Sequence, residues 1–225
     1  GCSRCAIPQP SNSLCIRLRS RDTMSKSFKL GKPVTLHAWN ADRTLCAVVH
    51  NDSNVVIYGN TSAKGSAWEV KYTLSNHDQL VSGLDWCHAH NKIVTCSHDR
   101  NAFVFTLDES TDKWTAGLVL LRLTRGCTGA WWSPDGDKFI VTSAYKEVRV
   151  CTYDPENDWW WPSDDIKKAD KSTVLAAAWH PNSQLIATGS AKKVCRVFSA
   201  YIDETDDVQD AGPFAEGEVF GTNII

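Results

Sequence analysis

The sequence predicts an all-β fold, a β-propeller of which about four blades lie within the 225 residues. Three observations carry that prediction. First, Trp39, Trp86, Trp132 and Trp179 recur at intervals of 47, 46 and 47 residues. A period slightly above 40 residues is that of a four-stranded blade and is too long for ankyrin or tetratricopeptide repeats. Second, two columns travel with the tryptophan. Eighteen residues on stands a β-branched residue (Ile57, Val104, Val150, Val197), followed by Tyr58, Phe105, Cys151 or Phe198. Third, every tryptophan leads through a polar turn into a short, apolar, β-branched run. Short runs of this kind between Asn, Asp, Gly and Pro turns are β-meanders. The apolar residues do not follow the i, i+3, i+4, i+7 spacing of a helical repeat.

The elements follow in order. Inner strands ending on the tryptophans are predicted at 34–39, 81–86, 127–132 and 173–179. The turns Asn40-Ala41-Asp42, Cys87-His88-Ala89, Ser133-Pro134-Asp135-Gly136 and His180-Pro181-Asn182 close them. Second strands then fall at 44–49, 92–97, 137–142 and 184–189. Third strands carry the two aligned columns, at 54–58, 102–107, 147–152 and 194–199. Outer strands are less regular, at 68–74, 116–123 and 159–167. The repeats thus span 34–74, 81–123, 127–167 and 173–202.

Lys and Arg number 24 against 26 Asp and Glu, so the net charge is −2. A dedicated nucleic-acid binder carries a basic excess, and none exists here. No apolar run reaches the length of a membrane-spanning helix. Of the nine cysteines, Cys46, Cys87, Cys96, Cys127, Cys151 and Cys195 fall in or beside predicted strands. There a free thiol serves as a small core hydrophobe, which fits a reducing, cytosolic setting.

The two ends differ from the repeats. Residues 1–23 lack methionine and carry Arg4, Arg17, Arg19 and Arg21 against Asp22 alone. Met24 is the only methionine, and repeat-like sequence begins just after it. The expectation is a non-native or disordered leader with Met24 as the natural start; an Arg- and Ser-rich transit peptide is the alternative. Residues 203–225 form an acidic stretch with no Lys or Arg, expected to be a linker that breaks off. Four blades do not close a ring of ordinary curvature, and repeat arrays need capping. The expectation is therefore a chain shortened at its C-terminus.

Four side-chain groups invite a chemical reading. His77, Thr95 and Asp99 have the composition of a hydrolase triad, but their spacing is that of a buried polar chain that fixes turns within one blade. Cys87, His88, His90, Cys96 and His98 offer zinc-ligand chemistry. However, His98 lies at the other end of the second strand from the first three, roughly 20 Å away at about 3.3 Å per residue. Cys2-Ser3-Arg4-Cys5 has a redox spacing without βαβ context. Trp159, Trp160 and Trp161 form an aromatic run on an outer strand, and Lys167 and Lys168 follow in a mixed-charge loop. Exposed aromatics are common at interface hot spots, so this stretch is the candidate partner surface. The four periodic tryptophans, with His77, Thr95 and Asp99, are expected to be structural. No phosphate-cradling loop, nucleophile elbow or paired carboxylate is evident, so neither catalysis nor a cofactor is expected.

Several strings lie outside the generic repeat: His37-Ala38-Trp39-Asn40, Asp99-Arg100-Asn101-Ala102, Glu156-Asn157-Asp158-Trp159-Trp160, Trp179-His180-Pro181-Asn182 and Cys195-Arg196-Val197-Phe198-Ser199-Ala200-Tyr201-Ile202. On these, residues 24 to about 203 closely resemble the subunit 1 family of the actin-related protein 2/3 complex. The resemblance implies a seven-bladed WD-repeat propeller of which about three repeats are missing here. It also implies that Lys26–Leu30 would form the outer strand of the last blade. Its functional implication is a non-catalytic scaffold that supports branched actin nucleation from the cytoplasm and cytoskeleton. The implied partners are the other subunits, the actin filament and nucleation-promoting factors, with no nucleic acid and no membrane insertion. The competing readings are a WD-repeat adaptor of a ubiquitin ligase or vesicle coat, and a propeller hydrolase. The repeats are degenerate, since only the second holds both His77 and Asp99. If Met24 is the natural start, intact-mass analysis of the endogenous protein will find no residue preceding it.

Overall fold

The computed structural model describes residues 30–60, 68–163 and 172–202. The leader, the acidic stretch at 203–225, and Lys167 and Lys168 lie outside those residues. Every regular element described is a β-strand. Blade 1 comprises β1 (Leu36–Trp39), β2 (Leu45–Val49), β3 (Val55–Asn60) and β4 (Trp68–Leu74). Blade 2 comprises β5 (Val81–Cys87), β6 (Lys92–Ser97), β7 (Ala102–Asp108) and β8 (Lys113–Val119). Blade 3 comprises β9 (Cys127–Trp132), β10 (Lys138–Ser143), β11 (Val148–Asp154) and β12 (Trp159–Pro162). Blade 4 comprises β13 (Val174–Trp179), β14 (Leu185–Ser190) and β15 (Cys195–Ser199). Each sheet is an antiparallel meander in chain order, which is the architecture of WD-type propeller blades. The inner strands β1, β5, β9 and β13 follow one another in space.

The core lies between blades. A sheet with two apolar faces must bury both, and a four-stranded sheet alone buries neither. One cluster joins Ala47, Val55 and Ile57 of blade 1 to Val81, Trp86, Ile93 and Phe105 of blade 2. A second joins Val94, Ala102 and Val104 of blade 2 to Trp132, Phe139, Cys151 and Trp160 of blade 3. A third joins Ile140, Val148 and Val150 of blade 3 to Val174, Ile186 and Phe198 of blade 4. The two sequence columns take opposite sides of this arrangement. The β-branched residue faces the following blade, and the aromatic or Cys beside it faces the preceding one, as strand alternation requires.

A repeated irregularity sharpens these contacts. The register of the inner strand shifts at Ser82, Thr128 and Leu175 in blades 2, 3 and 4. A bulge re-aims a side chain. Here it turns Ser82 Oγ to the Cys127 carbonyl at 2.7 Å and Thr128 Oγ1 to the Val174 carbonyl at 2.7 Å, each in the next blade. Gly83 follows the first bulge, and a Cβ there would lie 2.4 Å from the Ala130 amide, so only glycine allows this approach.

Two sequence expectations need correction. The outer strand of blade 2 spans Lys113–Val119, not 116–123. Asp108 accepts bonds from the Ser110 amide and the Thr111 hydroxyl, which fixes a tight turn and starts the strand early. Leu121 and Leu123 lie in the connector that follows and insert into the core between blades 2 and 3. The outer strand of blade 3, expected at about 159–167, is described over Trp159–Pro162, and residues 164–167 of that expectation lie outside the described residues. Cys195 is exposed, unlike the other five strand cysteines. It stands on the face of blade 4 that has no neighbour among the described residues.

Phe139 is fully buried. Phe139→Ala is expected to cost about 3–5 kcal/mol of unfolding free energy. Leu118→Ser, at a rim position, is expected to change it by no more than about 0.5 kcal/mol. Urea denaturation of both variants measures the contrast.

Candidate functional site

His77, Thr95 and Asp99 come together in blade 2. His77 sits in the connector between β4 and β5, Thr95 in β6, and Asp99 in the turn that follows β6. His77 Nδ1 lies 2.8 Å from Asp99 Oδ2, and Nε2 lies 2.8 Å from Thr95 Oγ1. The carboxylate can only accept, so Nδ1 carries the hydrogen, and with the buried ring neutral the Thr95 hydroxyl donates to Nε2. That is a neutral imidazole. Burial pushes the His77 pKa below its ordinary 6.5, against the upward pull of Asp99. Asp99 also accepts the amides of Asp78 at 3.3 Å and Asn101 at 2.9 Å. The Phe103 ring closes the site edge-on at 4.9 Å from the imidazole. Thr95 is fully buried, and its proton is committed to the ring. The set therefore has no accessible nucleophile, and what it does is pin the connector to the turn. Ser97 Oγ donating to the Gln79 carbonyl at 2.9 Å adds to the same tie.

The turns at the opposite end of the sheets are linked from blade to blade. His88 Nε2 lies 3.0 Å from the Trp39 carbonyl of blade 1. His90 Nε2 lies 3.3 Å from Asp137 Oδ1 of blade 3. The Asp135 amide donates to Ser183 Oγ of blade 4 at 3.3 Å. His88 and His90, weighed as zinc ligands, thus bond to separate blades, and among the described residues no three His, Cys, Asp or Glu side chains converge as metal donors. Asp85, in β5, accepts the amides of Trp86 at 2.9 Å and of Trp132, one blade on, at 2.8 Å. Burial pushes its pKa above the ordinary carboxylate value. Sequence reasoning missed this staple, because no equivalent carboxylate recurs in the other repeats.

The periodic tryptophans occupy the junctions. Trp86 packs in the cluster of blades 1 and 2, and its Nε1 donates to Asn91 Oδ1 at 2.9 Å. Trp132 packs edge-on against Phe139 and Trp160, both at 5.2 Å between ring centroids. Trp179 Nε1 donates to the Trp131 carbonyl of blade 3 at 3.1 Å. Trp39 is 38% exposed. It stands on the side by which a blade meets its predecessor, and blade 1 has none among the described residues.

The aromatic run on β12 alternates. Trp159 is 54% and Trp161 39% exposed, whereas Trp160 is 8% exposed. Trp160 therefore leaves the partner-facing set. Its ring is enclosed by Trp132, Phe139 and Tyr153, so blade packing consumes it. Trp159 and Trp161 sit at the rim, where β12 packs beside β8.

Residues 68–106 and 165–199 match the family model described as "WD domain, G-beta repeat". Over 198 residues, 88% of this chain, the sequence is 42% identical to actin-related protein 2/3 complex subunit 1A of Arabidopsis thaliana, covering 51% of that protein. It is 42% identical to subunit 1A-B of Xenopus laevis, covering 52% of it. It is 38% identical over 195 residues to subunit 1 of Saccharomyces cerevisiae, covering 49% of it. The chain carries matches to the WD repeat and is similar to these subunit 1 proteins along most of its own length. It spans about half the length of the curated relatives it matches. The subunit 1 relationship covers all four described blades, whereas the generic WD model matches only parts of the chain.

Thr95→Val leaves His77 Nε2 without its donor in a buried site. The expected loss is about 1–3 kcal/mol of stability, read from thermal or urea unfolding. The pH dependence has a fixed sign. The unfolded imidazole protonates near 6.5, while the folded one resists until lower pH. The contribution of His77 is therefore complete above about pH 6.5 and declines as pH falls below it. Melts from pH 7.5 to 5.5 are expected to show this decline, reduced in His77→Gln.

Proposed function

We propose that this protein is a non-catalytic scaffold subunit of an actin-related protein 2/3 complex. It supports branched actin nucleation by holding neighbouring subunits and by helping to present the assembly to a filament and to nucleation-promoting factors. The observation that carries this reading is the relationship to subunit 1 proteins over 88% of the chain. The physical character of the chain supports it. Blades locked through dry interfaces make a rigid platform, and its triad-like set holds a buried, committed hydroxyl. The proposed place of action is the cytoplasmic actin cytoskeleton. Trp159 and Trp161 are the proposed partner-facing residues. The adaptor and hydrolase alternatives have no comparable support, since the relatives compared above carry the subunit 1 name.

The test is affinity capture of the endogenous protein followed by mass spectrometry. Co-purification of actin-related proteins and the remaining subunits in fixed proportion is expected. Capture of a ubiquitin-ligase or vesicle-coat assembly, without actin-related proteins, would overturn the proposal.

A further inference from the structure

The end of blades 3 and 4 at which second strands turn into third strands carries an unbalanced positive charge. The connector between β8 and β9 brings Arg122 and Arg125, the turn between β10 and β11 brings Lys146, and the turn between β14 and β15 brings Lys192 and Lys193. The four residues other than the half-buried Lys146 are exposed. Against these five cations stands one carboxylate, Glu147. Both its oxygens turn to Thr124, one accepting the amide at 3.0 Å and the other the hydroxyl at 2.9 Å. Among the described residues none of the five cations pairs with a carboxylate. Lys146 Nζ instead lies 5.5 Å from the Tyr145 ring centroid.

Hydrogen bonds hold these segments side by side. The Ala144 amide donates to the Gly126 carbonyl at 2.9 Å, the Thr173 hydroxyl to the Ala144 carbonyl at 3.1 Å, and the Ala191 amide to the Thr173 carbonyl at 2.9 Å. Arg125, Lys146 and Lys192 each lie within two residues of that line. Residues 164–171, outside the described residues, hold three Asp and three Lys and add no net charge. Two apolar side chains stand among the cations. Leu120, in the connector, is 54% exposed, and Tyr145 is 38% exposed. The opposite end of blades 2 and 3 has the reverse charge. Residues 108–113 and 154–158 hold six carboxylates against one cation, Lys113. A negative plane therefore attracts one end of the strands and repels the other.

We propose that this basic end of blades 3 and 4 docks the protein peripherally on an anionic lipid surface. Arg122, Arg125, Lys146, Lys192 and Lys193 meet the headgroup charges, and their attractions add. Leu120 and Tyr145 lie at headgroup level, where an apolar body is sheltered and a phenol tip stays wet. A planar partner fits better than an acidic peptide for two reasons. The cations are dispersed over three segments of two blades, and the apolar side chains protrude, whereas a peptide's anchors need a recess to fill. The proposal goes beyond the scaffold reading and does not depend on it.

The test is co-sedimentation of the purified protein with vesicles of phosphatidylcholine and phosphatidylserine in equal parts. Vesicles of phosphatidylcholine alone are the control. The protein is expected to pellet with the anionic vesicles only, and less as salt rises. Arg125→Glu/Lys146→Glu and Lys192→Glu/Lys193→Glu are each expected to cut the bound fraction by about fivefold or more. Arg43→Glu/Lys113→Glu makes the same change of net charge at the acidic end and is expected to leave binding unchanged. Melting curves confirm folding, and the two basic-end variants keep the test open should one of them unfold. Equal pelleting with both vesicles, no pelleting with either, or undiminished pelleting of the folded basic-end variants overturns the proposal. Binding of a polyglutamate peptide without binding of the anionic vesicles overturns it too, and assigns the face to an acidic protein segment.

Discussion

Dry contact between successive blades is the constraint on which the rest of the structure depends. Every blade presents two apolar faces, so every blade needs two neighbours. The three hydrophobic clusters all span a blade junction, and the largest fully buried side chains, such as Ile57, Phe105, Phe139 and Ile186, lie within them. The same demand explains the bulges at Ser82 and Thr128. A hydroxyl turned across the junction satisfies a carbonyl that the next blade's inner strand would otherwise bury unpaired. In blade 4 the equivalent residue is Leu175, which is 58% exposed, and β13 as a whole is far less buried than β5 or β9.

Polar groups act at the two ends of each sheet, where apolar burial fades. At one end the neutral His77 imidazole joins a connector to a turn through one donor and one acceptor. At the other end His88, His90 and Asp135 chain the turns of four blades together. Asp85 belongs to both descriptions, since its carboxylate accepts amides from two blades within a junction. These contacts fix the blades relative to one another. At the rim of blade 3, Trp159 and Trp161 are left exposed.

Much of the fold was legible because the repeat is a local pattern. The tryptophan interval set the blade count, and the β-branched and aromatic columns set the third strands to within about two residues. The turns were legible from Asn, Asp, Gly and Pro. The turn backbone was not. The left-handed residue after each inner strand is Arg43, Asn91, Gly136 or Ser183, and only one of these is glycine. The strand β8 was misplaced because its leucines continue past its end, and chain order cannot distinguish a leucine in a ladder from one inserted by a connector.

By itself the sequence determined the class of fold, the order of strands and, through strings outside the repeat, the relationship to subunit 1 proteins. Those properties depend on side-chain type and spacing along the chain. The tertiary structure decided which tryptophan of three is buried and that Asp85 bridges two blades. Alternation along β12 separates Trp160 from its neighbours but cannot say which side faces solvent. That choice is made by Trp132 and Phe139, more than twenty residues distant in the chain, whose rings complete the junction only when Trp160 turns inward.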